Sequence, residues 1–204
     1  NVVNGATGAA IQALGGQLNP ESPYSYEVHN NFNSTNKIEN SGLSIQGDYE
    51  MGFANLTSIT AYRTSKLVTD QDSDFTSADL IGINDSQGAI DTYTAELRLA
   101  SDFDGPINFL IGGYYFKEDI ETTGSLLFGS DFKGYADFLS GGGYSGSEAT
   151  LRALIPTIPA GTFGGQGQGR TTNFTLDNDS FSIFGQIDFE PIDGLVFTAG
   201  GNYT

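Results

Sequence analysis

The chain has 204 residues, with 28 Gly, 15 Phe, 10 Tyr, one His, no Cys and no Trp, and its 25 acidic against 8 basic side chains give a net charge of −17. Eight scattered cations cannot supply the clustered Lys and Arg that hold nucleic acid by its phosphates. Without Cys there is no disulfide framework, thiol catalysis or thiolate metal site. Hydrophobic content of 38 % is low for a globular domain, yet aromatics at 12 % are too many for a disordered acidic chain. Rich in Gly, Tyr and Phe, the chain reads as all-β.

Taken in order, residues 1–36 open on a stretch, Asn1–Asn19, that carries neither a basic n-region nor an apolar h-region, so no signal peptide is read there. They are expected to form a loop region, with Tyr24–Asn30 as a candidate extended arm. Ser41–Tyr49 alternates: Leu43, Ile45 and Tyr49 face away from Ser44, Gln46 and Asp48. Such a period of two marks a strand with one apolar and one polar face. The same pattern runs through Thr92–Ser101 (Tyr93, Ala95, Leu97, Leu99), Ser180–Glu190 (Phe181, Ile183, Ile187, Phe189) and Leu195–Thr204 (Leu195, Phe197, Ala199, Tyr203). Phe184 breaks it. Phe53–Leu67 and Ile107–Ile120 are strand-like but apolar on both faces, which leaves their facing open.

The connections alternate as well. Glu50–Gly52, Asp102–Pro106 and Pro191–Gly194 are tight, with Gly, Pro and Asp-Gly turn chemistry. Between them lie two long excursions, Val68–Ala89 and Glu121–Thr175. Long loops are uncommon in compact soluble domains, whereas short turns at one end and long loops at the other are the asymmetry of an outer-membrane β-barrel. Strands of about 9–11 residues suffice to cross a membrane, and these reach that length. No apolar run approaches the ~18 residues of a membrane helix; Phe109–Phe116 spans eight. A soluble β-sandwich or solenoid would also alternate and stays open on pattern alone.

Three phrases add a resemblance. Leu56–Arg63 followed by Asp70–Asp74, Ala95–Ser101 followed by Gly112–Phe116, and Phe184–Gln186 followed by Thr198–Thr204 resemble, in order and spacing, the barrel of TonB-dependent outer-membrane receptors. The final Gly201-Asn202-Tyr203 departs from that family's usual Gly-Leu/Ala-Arg-Tyr ending. The resemblance implies an antiparallel up-and-down transmembrane β-barrel segment, about six to seven strands of a 22-stranded barrel. Residues 37–204 would form the partial barrel, with loops 68–89 and 121–175 extracellular and the plug domain absent from this chain, which is therefore expected to be a piece of a longer protein. It further implies a place in the outer membrane of a Gram-negative bacterium and import of a scarce ligand (an iron chelate such as a siderophore, cobalamin or a saccharide) by TonB-coupled energy. The implied partners are outer-membrane lipid, the remaining barrel and plug, TonB through a segment absent here, and a small-molecule ligand, with no nucleic acid.

Candidate sites are few. No acid–base or nucleophilic constellation emerges, so no enzymatic activity is expected, and a β-solenoid lyase is disfavoured by the lack of a repeat. His29 reads as an exposed loop histidine. Gly164–Thr171 mimics a phosphate-binding loop but lacks its flanking strand and helix. Asp70, Asp72 and Asp74 have the opening spacing of a calcium loop and are the chain's calcium candidates; no other cofactor is expected. Phe75 and Ile81 stand where such a loop needs Gly and Glu, which favours a solvated acidic tip. In the second excursion, Ser130–Ser140 has helical spacing behind a Ser cap, and Ser147–Ile155 precedes Pro156. Phe128, Phe132, Tyr135, Phe138 and Tyr144 are its ligand-contact candidates, with packing of the loop on itself as the alternative. The surrounding acids point to a neutral or cationic ligand. A secreted or cell-surface structural or adhesive β-protein remains the second functional reading.

Overall fold

The computed structural model describes residues 5–22 and 24–204. Its framework is an antiparallel up-and-down sheet of six strands in chain order: β1 (Thr35–Glu50), β2 (Ala54–Asp70), β3 (Ile81–Ser101), β4 (Ile107–Phe128), β5 (Gly169–Ile192) and β6 (Leu195–Tyr203). The sheet is open, with β1 and β6 at its edges. Three helices accompany it: α1 (Ala6–Ala13), α2 (Phe132–Ser140) and α3 (Gly143–Leu154). No helix among the described residues is long and apolar enough to cross a membrane. The chain divides into two compact units. One comprises residues 5–22, 24–37, 67–87 and 122–173, and the other 38–66, 88–121 and 174–204.

The three tight turns all fall in the second unit, where residue chemistry explains each. Gly52 at φ 83° and Gly194 at φ 80° supply left-handed positions that any Cβ would strain. At the third turn the Asn108 side chain closes the loop: its Oδ1 accepts from Phe103 N and Ser101 Oγ, both at 2.8 Å.

Side-chain contacts carry the facing from strand to strand. On the polar face, Asp48 of β1 accepts from Gln46 at 2.9 Å and from Thr57 of β2 at 2.7 Å. The other face of β2 carries Tyr62, whose hydroxyl donates to Asp91 of β3 at 2.6 Å. Tyr93, two residues on, lies 6.1 Å from the ring of Tyr115 of β4, and Tyr115 donates to Asp179 of β5 at 2.7 Å. The β5–β6 register then pairs Ile183 with Tyr203, Gly185 with Gly201, Ile187 with Ala199 and Phe189 with Phe197. One face thus collects Leu43, Ile45, Leu97, Ile111, Ile183 and Ile187, each at least 53 % exposed. The opposite face collects Gln46, Asp48, Glu96, Arg98, Gln186 and Asp188. The two ambiguous strands are resolved: β2 turns its even positions, and β4 its odd positions, to the apolar side.

Phe184 falls on the polar face because Gly112 makes room for it. A Cβ on Gly112 would collide with the Phe184 ring and lie 2.9 Å from the Leu97 carbonyl. The lone break in the alternation is therefore a ring packed across the strands onto a glycine.

Strand boundaries differ from expectation at one kind of end. The stretches read as loops 68–89 and 121–175 contribute strand at both ends, so the connections shrink to residues 71–80 and 129–168. The added segments, such as Ile81–Gln87, mix Ile81 and Ile83 with Asp85 and Gln87 on one side and are too polar for a sustained alternation, but their backbones still pair: Gln71 N donates to the Asn84 carbonyl at 3.0 Å. Within residues 5–36 the expected loop contains α1, an Ala-rich stretch in which Ala supplies the highest helix propensity. Tyr24–Asn30 forms no strand.

Candidate functional site

The first unit gathers the N-terminal segment with the β2–β3 and β4–β5 connections. Its small core is Ile11, Ala78 and Leu80, with Leu18 and Tyr135 packed against them. Most of its order comes from carboxylates that hold backbone. Asp72 accepts from the amides of Asn31, Asp74 and Phe75, each at 3.2 Å. Asp74 accepts from Thr76, Leu80 and Ile81 amides at 3.0–3.2 Å. Asp79 joins the two long connections, taking Ser130 N at 2.7 Å and Ser130 Oγ at 2.8 Å, while Asp131 accepts from Asp79 N at 3.0 Å. Gly129 allows that approach, since a Cβ there would collide with the Asp79 carbonyl and carboxylate.

The calcium candidates therefore sit in a folded loop and not at a solvated tip. Asp72 is 3 % exposed. Burial, and then the charge of Asp74, push its carboxyl above the ordinary range, against the pull of its three amides. Asp72 and Asp74 are brought together, but their oxygens are turned onto loop N–H groups. Among the described residues no group of three or more His, Asp or Glu side chains is arranged to hold a metal. His29 is half-buried, not exposed, and its backbone N–H donates to Asn19.

The β4–β5 connection folds as two helices with a different start from the expected one. Asp131 occupies the N-cap of α2, with no side-chain cap bond, and Ser130 is instead held by Asp79. The helix stops at Gly141, left-handed at φ 60°. Asp137 reaches across to the Ser145 hydroxyl and amide, which hold its carboxyl below the usual range. Glu148, 5 % exposed, takes Lys133 Nζ at 2.6 Å and the Gly161 amide, and the lysine bond lowers its pKa.

Of the five aromatic candidates, three are joined. Phe128 stacks on Phe132 with centroids 3.8 Å apart, and Phe132 meets Tyr144 edge-on at 6.3 Å. Tyr135 belongs to the core and Phe138 is 49 % exposed. Gly164, buried and at φ 61°, passes so close to Tyr144 and Phe132 that a side chain would strike both. The strand ends are tied beneath them: Phe128 N donates to the Gln168 carbonyl at 2.7 Å and Gly167 N to the Phe128 carbonyl at 2.9 Å. Beside this cluster opens a cleft of about 590 Å³, lined by Phe128, Tyr144, Phe163, Gly164, Gln168 and Arg170 among others. Phe163 and Arg170 were missed by sequence reasoning. The Gly-rich run around them reads as flexible loop, and only the start of β5 at Gly169 brings Arg170 back to the rings of β4 and α3.

No protein-family profile, curated protein or solved structure matches the chain.

Proposed function

We infer that this chain is part of the β-barrel of an outer-membrane receptor of the TonB-dependent type, which binds a small ligand outside the cell and imports it. One observation carries the reading: a six-stranded sheet with an uncovered face rich in exposed apolar side chains, opposed by a face on which charges and amides stand among Ile59, Leu110, Tyr114, Phe116 and Phe184. In water such a face is an aggregation hazard; against lipid it is the required surface. Tyr62, Tyr93 and Tyr115 cross that face in a row. Phe103 and Phe109, with ring centroids 6.0 Å apart, lie by a tight turn together with Phe53, Phe189 and Phe197. These two rows suit the aromatic girdles at the two membrane interfaces. From Tyr93 to Phe103 is ten positions and from Phe181 to Phe189 eight, about 26–33 Å of strand at ~3.3 Å per residue. A barrel tilt of about 35–45° foreshortens this to about 19–27 Å, a range that includes the ~25 Å of a barrel's apolar band.

The open edges fit the same reading, because backbone groups inside a membrane must pair and further strands would do so. The two long connections form a folded unit instead of flexible tails, as a ligand-capturing surface needs. The test is uptake by the full-length protein in its host, with labelled ferric chelates, cobalamin and oligosaccharides offered to cells with and without the protein. Uptake of at least one ligand that requires both this protein and a working TonB is expected. Identical uptake of every ligand in both strains would contradict the assignment.

A further inference from the structure

We propose that the cleft between Phe128, Tyr144, Phe163 and Arg170 is a binding site for a planar aromatic carboxylate. Its role in uptake rests on the receptor reading above; its chemistry rests on the cleft. About 590 Å³ lies within the ~300–1,000 Å³ of ordinary small-molecule sites. Its walls are rings fixed before any ligand arrives: Phe132 holds Phe128 by stacking and Tyr144 by an edge contact. Gly164 lets the backbone pack directly against Phe132 and Tyr144, where any side chain would collide, and so helps hold these rings in place. Pre-set aromatic walls of this kind lower the ordering cost of binding a flat ligand.

Charge selects the second half of the ligand. The chain carries 25 acidic residues, yet none lines this cleft, while one of its eight cations does. The other cations of the same connection are engaged: Lys133 with Glu148, and Arg152 Nε with the Ile158 carbonyl at 3.3 Å. Gln168 is engaged too, its side chain accepting from Gly165 N at 3.0 Å and donating to the Gly161 carbonyl at 2.9 Å. That leaves Arg170 as the charged residue lining the cleft, exposed and, among the described residues, in no ion pair. A guanidinium fork matches a carboxylate with two parallel hydrogen bonds. The whole-chain charge argues for a neutral or cationic ligand, but at the cleft the balance is reversed, and an anion is the species it favours.

The probe is 2-naphthoate, with neutral 2-naphthamide and cationic 2-naphthylmethylamine as controls, titrated against the purified full-length protein in detergent by isothermal calorimetry. Saturable binding of the acid, at least tenfold tighter than of either control, is expected. Arg170→Gln should bring acid and amide to equal affinity, and Phe163→Ala should weaken both by a similar factor. Absence of saturable naphthoate binding, equal or tighter binding of the amine, or an acid preference that survives Arg170→Gln would overturn the site. Outer-membrane location is scored separately in the same cells. Naphthoate binding by a protein absent from that membrane would keep the site and remove its transport role, and an outer-membrane protein without the binding would do the reverse.

Discussion

The Phe184–Gly112 contact shows how one residue can break a pattern for a structural reason. A Cβ at position 112 would meet both the Phe184 ring and, at 2.9 Å, the Leu97 carbonyl. Gly112→Ala should destabilise the protein by about 1–3 kcal/mol, the usual cost of overpacking, read as a lower midpoint of thermal unfolding on gels. Adding Phe184→Ala should recover part of that loss and not all of it, since the carbonyl clash remains. A double mutant no more stable than the single one would remove the ring from the account. The carboxylates make the second residue-scale point. Glu148 and Asp137 have pKa values lowered by Lys133 and Ser145 respectively. A lowered folded-state pKa gives stability that is present above the unfolded value and lost as pH falls through the folded one. Hydrogen exchange of residues 132–154, corrected for intrinsic rate, should therefore accelerate below about pH 4, and Glu148→Gln should show much of that acceleration already at pH 7. Exchange that is flat with pH would contradict the ion pair's role.

Among the elements, the β2–β3 connection illustrates why a spacing is not a site. Three Asp at alternate positions resemble a calcium loop, but the amides of Asn31, Asp74, Phe75, Thr76, Leu80 and Ile81 already take up the oxygens of Asp72 and Asp74. Calcium should leave proteolysis of residues 71–80 unchanged, and protection that Asp72→Asn abolishes would reinstate the cation site. Legibility followed burial in one environment. The strands at Thr92–Ser101, Ser180–Glu190 and Leu195–Thr204 could be read because one face is apolar and the other polar throughout. Ile81–Gln87 and Gly169–Leu176 could not, because their residues are polar or mixed on both faces and only backbone pairing, invisible to periodicity, extends the strands there. The helix at Phe132–Ser140 was legible from its spacing, but its start was not, since Ser130 found a stronger partner in Asp79 across the chain than in its own helix. The aromatic candidates were legible as a group; their division between core, cluster and surface was not. Deleting Gly129–Gly169 should leave the sheet assembled and heat-modifiable while lowering 2-naphthoate affinity at least tenfold, about 1.4 kcal/mol. Undiminished binding would place the ligand site outside this connection.

At the scale of the whole molecule, the proposed receptor has the odd-numbered face of β5 and its counterparts on the other strands meet lipid while the opposite face meets water. The two faces predict opposite tolerances. Leu97→Arg and Ile187→Arg in the full-length protein should block membrane assembly, at a cost of about 2–4 kcal/mol near the midplane, whereas Glu96→Ala and Gln186→Ala should assemble normally. A more direct measurement exploits the absence of cysteine from these 204 residues, with any cysteine elsewhere in the full-length protein first replaced by Ser. Single cysteines placed along β5 at Phe181, Ser182, Ile183, Gln186, Ile187 and Asp188 can each carry a nitroxide in the assembled protein. The accessibility of each label to oxygen, which partitions into lipid, can then be compared with that to a water-soluble nickel chelate. Oxygen access is expected at 181, 183 and 187 and chelate access or protein burial at 182, 186 and 188, a strict period of two. Accessibility to the chelate at both sets, or no alternation at all, would contradict a membrane-facing sheet and return the chain to the class of water-exposed surface β-proteins.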